Sequence, residues 1–195
     1  MGQMTDALVP LLRAPRPYKG QGRWRIRRNH DLMEHCSVTL VNVTHHYEFT
    51  VVRSGRATPQ TLFDILADGS RWSEWAKPLI KYSAWETRGP ADDGGVGAVR
   101  VVGTRQFPTR EMTTVHEPGQ RHGYTILSKT PVQDYQAQVT LASEQDRTRI
   151  EWRGTYESRW RAVGLTYRAV IKYVLTTLAN KLVLEAERRD ALDRA

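Results

Sequence analysis

From His46 onward apolar and polar positions alternate. Tyr47, Phe49 and Val51 take every second place in HYEFTVVRSGRA, the period of a strand with one apolar face, and domain structure is expected to begin there. ATPQTLFDILAD then changes period: Thr58 is a helix-capping residue, Pro59 fits the first helical position, and Leu62, Phe63, Ile65 and Leu66 form a helical stripe that ends near Asp68 and Gly69. DGSRWSEWAKPLIKYSAWE follows, and its spacing predicts a second short helix capped by Ser70 and broken by Pro78, with Trp72 and Trp75 pointing the same way and Trp85 on the next strand. Strands are predicted at 80–87, 98–106, 109–116, 121–128, 133–143 and 148–158, separated by turn formers such as RGPADDGGVG, EPGQ and EQDR. Short turns at regular intervals imply an antiparallel meander. From about Trp160 to Asp190 no proline occurs, and Val163, Tyr167, Val170, Ile171, Val174, Leu178 and Leu182 recur at steps of three and four. This is the pattern of one long amphipathic helix.

The predicted fold class is therefore α+β: a curved seven-stranded antiparallel sheet wrapped around the long C-terminal helix, with two short helices after the first strand. A curved sheet and a long helix do not close along their whole length, so a pocket is expected between them. Residues 46–190 form the predicted domain, and residues 1–45 read as a disordered basic extension.

Charge sharpens that division. The chain of 195 residues carries a formal net charge of +8, and residues 1–45 hold seven basic side chains against three acidic ones. GQGRWRIRRNH offers contacts to phosphate, on nucleic acid or an acidic membrane, although a solvated tail is the expected state. Cys36 is the only cysteine, which excludes an intrachain disulfide and a cysteine-based metal cluster. No secretory signal is read, and no apolar run approaches the roughly 18 residues of a membrane span, so a soluble, cytoplasmic protein is expected.

Few motifs carry chemistry. DDGGVG lies between strands and has no helix after it, so its glycines read as turn formers; no nucleophile elbow, phosphate loop or dinucleotide fingerprint is present. No metal spacing occurs among the histidines, each of which is expected as a satisfied surface residue, and neither metal nor cofactor is predicted. Alternation leaves open whether Val99, Val101 and Gly103 or Arg100, Val102 and Thr104 face inward. It leaves the same choice between Glu111, Thr113, Val115 and Arg110, Met112, Thr114, while His122, Tyr124 and Ile126 form the more inward set of their strand. If Arg100 and Glu111 both point inward they make an ion pair in an apolar setting, able to orient a ligand carbonyl or carboxylate. Asp134 and Tyr135 offer a second candidate, a buried hydroxyl beside a carboxylate that donates a proton.

The order of elements, together with FDILADGSRWSEWAKPL, GGVGAVRVV, TREMTTVHEPGQRHGYTILSKTPVQDYQAQVTL and TRIEWRGTYES, resembles the polyketide cyclase/dehydrase and lipid-transport family of the START-like (helix-grip, SRPBCC) superfamily. The resemblance covers residues 46–187 and implies the helix-grip fold. It favours the inward Arg100 and Glu111, since similar proteins carry Arg after G-x-V and Glu on the next strand. The first functional expectation is binding of a hydrophobic small molecule (a lipid, polyketide or aromatic compound) in a cavity lined by Leu62, Trp72, Trp75, Arg100, Glu111, Tyr124, Tyr135, Val139 and Trp152. A polyketide cyclase or dehydratase using the same cavity, with Arg100, Glu111 and Tyr135 as catalytic candidates, is the alternative. A third reading makes the protein an interaction module acting through its basic leader.

Overall fold

The computed structural model describes residues 44–193, so the expectations for the basic leader and Cys36 lie outside the described residues. Ten elements follow in order: β1 (His45–Gly55), α1 (Pro59–Ala67), α2 (Trp72–Trp75), β2 (Tyr82–Thr87), β3 (Val99–Gly103), β4 (Pro108–Glu117), β5 (Arg121–Ile126), β6 (Gln133–Glu144), β7 (Arg147–Ser158) and α3 (Arg161–Asp193). The seven strands form one antiparallel sheet in the order β1-β7-β6-β5-β4-β3-β2. Every link from β2 to β7 joins neighbours, and only β1 is separated from its partner by the rest of the sheet, which brings the first strand beside the last.

Register sets which side chains share the inner face. Val51 stands opposite Trp152, Trp152 opposite Val139 and Val139 opposite His122, while Tyr47 stands opposite Tyr156. Phe49, Val51, Tyr135, Val139, Trp152 and Tyr156 are all buried there, and α3 covers them with Tyr167, Leu175, Leu178, Leu182 and Ala186. The helical stripe read from the sequence is therefore displaced. Leu175, Ala179 and Ala186 are fully packed, whereas Val163, Val170, Ile171 and Val174 keep part of their surface.

Both ends of α3 are held by polar contacts. At its start the Tyr156 hydroxyl donates to the Gly164 carbonyl at 2.7 Å. Gly164 also admits the Tyr47 ring so closely that a Cβ there would lie 2.2 Å from it. Near its end the buried Asp190 carboxylate accepts from the Thr58 amide at 2.9 Å and from the Thr61 hydroxyl at 2.5 Å. Thr58 caps α1 as predicted, its hydroxyl accepting from the Thr61 amide. A negative side chain at this helix start is favourable to the exposed N–H groups and to the helix dipole.

Local boundaries differ from expectation for identifiable reasons. Ser70 does not cap α2: its hydroxyl donates to Asp68 at 2.6 Å, and Arg71 stands at the cap position without a side-chain cap bond. The Ser83 hydroxyl of β2 instead accepts from the Ser73 amide at 2.8 Å, so the sheet supplies the partner. β3 stops at Gly103, whose φ of 128° belongs to a turn, rather than running on to Gln106. A bulge between Thr113 and Val115 shifts β4 against β5.

Candidate functional site

Arg100 and Glu111 stand directly opposite each other on β3 and β4, and both belong to the inner face. Arg100 Nε donates to Glu111 Oε2 at 2.9 Å, and Nη2 lies 2.8 Å from the same oxygen. Both contacts fall on one oxygen, and the Nη2 approach is off the line of an N–H, so Nη2 is a buried donor without a well-formed hydrogen bond. Arg100 Nη1 donates to the Leu66 carbonyl at 3.1 Å, and the Trp72 indole N–H donates to that same oxygen at 3.0 Å.

Leu66 explains why these residues meet. The last carbonyls of a short helix lack an intrahelical partner and carry the negative end of its dipole. One such group, at the end of α1, accepts an arginine and a tryptophan. The Arg100 guanidinium carbon then sits 4.0 Å from the Trp72 ring centre and 5.1 Å from that of Tyr124, so two π faces compensate part of the charge's lost hydration. Gly69 keeps the chain close, since a Cβ there would lie 2.8 Å from the Arg100 Cβ and 2.9 Å from Trp85. Arg100 ends 2% exposed and the Glu111 side chain 12%. Of the pair, only the carboxylate remains reachable.

Around it lies a set of tyrosines. Tyr124 accepts from the Trp152 indole at 3.2 Å, and its ring is 6.2 Å from Tyr135, which is 6.3 Å from Tyr167. Burial first, then the Glu111 carboxylate, pushes the Tyr124 and Tyr167 hydroxyls well above their ordinary range. Burial and the neighbouring tyrosines, with Glu111 adding to them, do the same to Tyr135. All three remain protonated donors. The carboxylate that acts on Tyr135 is Glu111, whereas Asp134, expected beside that hydroxyl, is exposed at a positive φ of 50°.

The remaining cavity candidates are packed. A side chain bordering a void wide enough for water keeps accessible surface, and Leu62, Val139 and Trp152 keep none. Trp72 and Trp75 rest with ring centres 4.9 Å apart, and Trp72 meets Trp152 edge-on at 6.3 Å, so they are core side chains rather than walls of an open mouth. Hollows of about 410 and 310 Å3 lie elsewhere: one is lined by Tyr82, Val101, Arg105 and Pro108, the other lies on the outer face above Gly123 and Gly154. Around Leu62, Val139 and Trp152 the space expected between sheet and helix is thus filled by aromatic side chains. Inner-face surface survives at Glu111, its cross-strand neighbour Ile126, and Tyr167 with Ile171 and Val174 on α3.

Sequence reasoning missed His122. It is 1% exposed, neither ring nitrogen has a hydrogen-bond partner, and Phe63 and His116 approach its ring edge-on at 6.2 and 6.3 Å. The expected surface histidine is a core residue, and burial, followed by the Arg100 charge and His116, drives its pKa well down. The signal was its place in the inward His122, Tyr124, Ile126 set. The bulge after Thr113 hid its neighbour by turning Val115 outward and His116 inward.

Among the described residues no cluster of three or more His, Cys, Asp or Glu side chains is placed to hold a metal ion, and no helix is long and apolar enough to cross a membrane.

A seven-stranded antiparallel sheet closed by one long C-terminal helix, with two short helices across one end of its inner face, defines the START-like, helix-grip class. Solved structures with this fold include an aromatase/cyclase from a Streptomyces species (17% identity, TM-score 0.59, covering 75% of this chain and 96% of that one). A START superfamily protein from Mycobacterium smegmatis matches at 13% identity and TM-score 0.61, covering 74% and 99%. Norcoclaurine synthase from Thalictrum flavum, a point mutant with a transition-state analogue, matches at 11% identity and TM-score 0.61, covering 76% and 98%. The chain belongs to the polyketide cyclase / dehydrase and lipid transport family, whose model matches residues 46–187. No curated protein sequence matches it. Family and fold together indicate hydrophobic-ligand binding or cyclase-type function.

Proposed function

We propose that the protein binds a hydrophobic small molecule on the inner face of the sheet beneath the first half of α3, with the Arg100–Glu111 pair as its polar anchor. The observation that carries this reading is the pair itself. Two charges in an aromatic interior are expensive to desolvate, and replacing them by apolar side chains would serve stability equally well. Here the pair also leaves one buried donor, Arg100 Nη2, without a good acceptor, and one carboxylate within reach of a ligand. An apolar molecule would lie against Ile126, Tyr167, Ile171 and Val174 and place its polar group at Glu111. The packed aromatics open by side-chain rotation to admit it.

Tryptophan fluorescence provides the test, because Trp72, Trp75 and Trp152 are buried beside the proposed site. Naphthol, an apolar ring with one hydroxyl, is expected to change that emission saturably and to bind about tenfold more weakly to Glu111→Gln, the weakening typical of a lost hydrogen bond to a charged group. Equal affinity in both proteins would remove Glu111 from the site, and absence of saturation would reject the reading.

A cyclase or dehydratase would use the same groups, and the neighbourhood of Glu111 favours this second reading: its carboxylate sits among three hydroxyls held in their protonated form. In that reading Glu111 is the base and Tyr135 the donor.

A further inference from the structure

Antiparallel strands alternate direction, so the start of β1, β4, β6, β2 and α3 and the end of β3, β5 and β7 fall on one rim of the sheet. Three connections on this rim each expose a large apolar side chain: Phe107 (52%), Leu127 (41%) and Trp160 (68%), with Leu165 on the first turn of α3 (49%). Between them stand Lys81, Arg105, Lys129, Arg159 and Arg161, all exposed. Among the described residues none of these five cations makes an ion pair. The acidic side chains on this rim are Asp134 and Glu157.

The opposite rim is built differently. Arg88 pairs with Asp92 at 3.3 Å, Arg121 with Glu117 at 2.5 Å and Arg149 with Glu144 at 3.9 Å. Three cations there are thereby compensated within the protein and Arg147 donates to the Ser54 hydroxyl and carbonyl, while Arg56 makes no ion pair among the described residues. On the first rim the five cations lie beside exposed aromatic and aliphatic tips, so a partner there must accept both.

We propose that this rim docks on an anionic lipid surface, with Trp160, Phe107 and Leu127 entering the interfacial layer and the five cations lying against lipid phosphates and carboxylates. Cations and exposed apolar tips together match a bilayer interface, which offers a negative surface and an adjoining apolar layer. A nucleic acid would satisfy the cations and leave the scattered tips against water. Docking turns the start of α3, and with it the accessible inner-face residues Glu111, Ile126 and Tyr167, toward the bilayer. The inference stands on the rim alone and does not require the ligand-binding reading.

Co-sedimentation of the full chain with phosphatidylcholine vesicles, with and without phosphatidylserine, tests it. Binding is expected to need phosphatidylserine and to weaken with salt. Arg105→Glu, Lys129→Glu and Arg159→Glu combined should lower affinity about a hundredfold or more, and Phe107→Ser with Trp160→Ala about tenfold. A control with the same change in net charge on other surfaces, Arg71→Glu, Arg88→Glu and Arg121→Glu, should retain binding. Four results would overturn the proposal: no binding, unchanged binding in the rim variant, equal loss in the control, or preference for duplex DNA over the vesicles. Matching thermal melts of the variants establish that each is folded.

Discussion

The inner face of the sheet has two halves built on different principles. Beneath α3, strands β1, β7 and β6 present Phe49, Val51, Tyr135, Val139, Trp152 and Tyr156, and the helix answers with Tyr167, Leu175, Leu178 and Leu182. Beneath α1 and α2, strands β3, β4 and β5 present Arg100, Glu111, Thr113, His122 and Tyr124. Burial is almost equally complete in both, so exposure does not distinguish them. What distinguishes them is partner geometry: an apolar contact tolerates many arrangements, whereas Arg100 needs the carboxylate, the Leu66 carbonyl and two ring faces at once. One half supplies stability and the other spends some of it on specificity, which is the arrangement expected of a site.

The largest effect should come from the apolar half. Trp152→Ala removes a fully buried indole and leaves the Tyr124 hydroxyl without its donor, and a loss of about 3 to 5 kcal/mol is expected in chemical denaturation. A loss below about 1 kcal/mol would show that the aromatic layer is loosely packed and already open to a ligand.

In the charged half, Glu111→Leu strands the Arg100 charge in the interior and should cost about 3 kcal/mol or more. Adding Arg100→Met should recover most of that loss while leaving naphthol binding weakened by about tenfold or more. Stability and binding that moved together through this cycle would contradict the division just drawn.

The smallest effect is a pH dependence. His122 has a folded-state pKa held well below its ordinary value, so the unfolded chain binds the proton more readily. The stabilising contribution is present above the unfolded pKa of about 6.5 and is lost as pH falls from there toward the folded value. Melting temperature should therefore fall on acidification below neutrality more steeply in the parent than in His122→Phe. Arg100 and His116 face His122 and oppose its protonation, and parallel pH profiles in the two proteins would remove His122 as the source of the acid sensitivity.

Much of this contrast was legible in the sequence. Alternation in HYEFTVV and in DYQAQVTL placed Phe49, Val51, Tyr135 and Val139 on the inner face because one face of each strand is wholly apolar, and the irregularity of β6 between Gln133 and Gln136 leaves Tyr135 on that face. On β3 both alternating sets contain valine, so the pattern could not choose, and Arg100 points inward because a distant carbonyl, Leu66, is there to receive it. The β4 bulge was invisible for a related reason: it changes the face of His116 without altering the local mixture of polar and apolar residues. Tryptophans 72 and 75 announced an apolar target correctly, yet their spacing carried no information on whether that target was a void or another ring.

The acceptor shared by Arg100 and Trp72 is a backbone oxygen, and this has a consequence for how the site can vary. No substitution at position 66 deletes that oxygen, so point mutation within α1 leaves the contact available. A single-residue insertion or deletion in α1 would instead turn the helix end by about 100° and carry the carbonyl away from both donors at once. The length of this nine-residue helix, more than its composition, is therefore what inheritance must conserve to keep the charged pair in place.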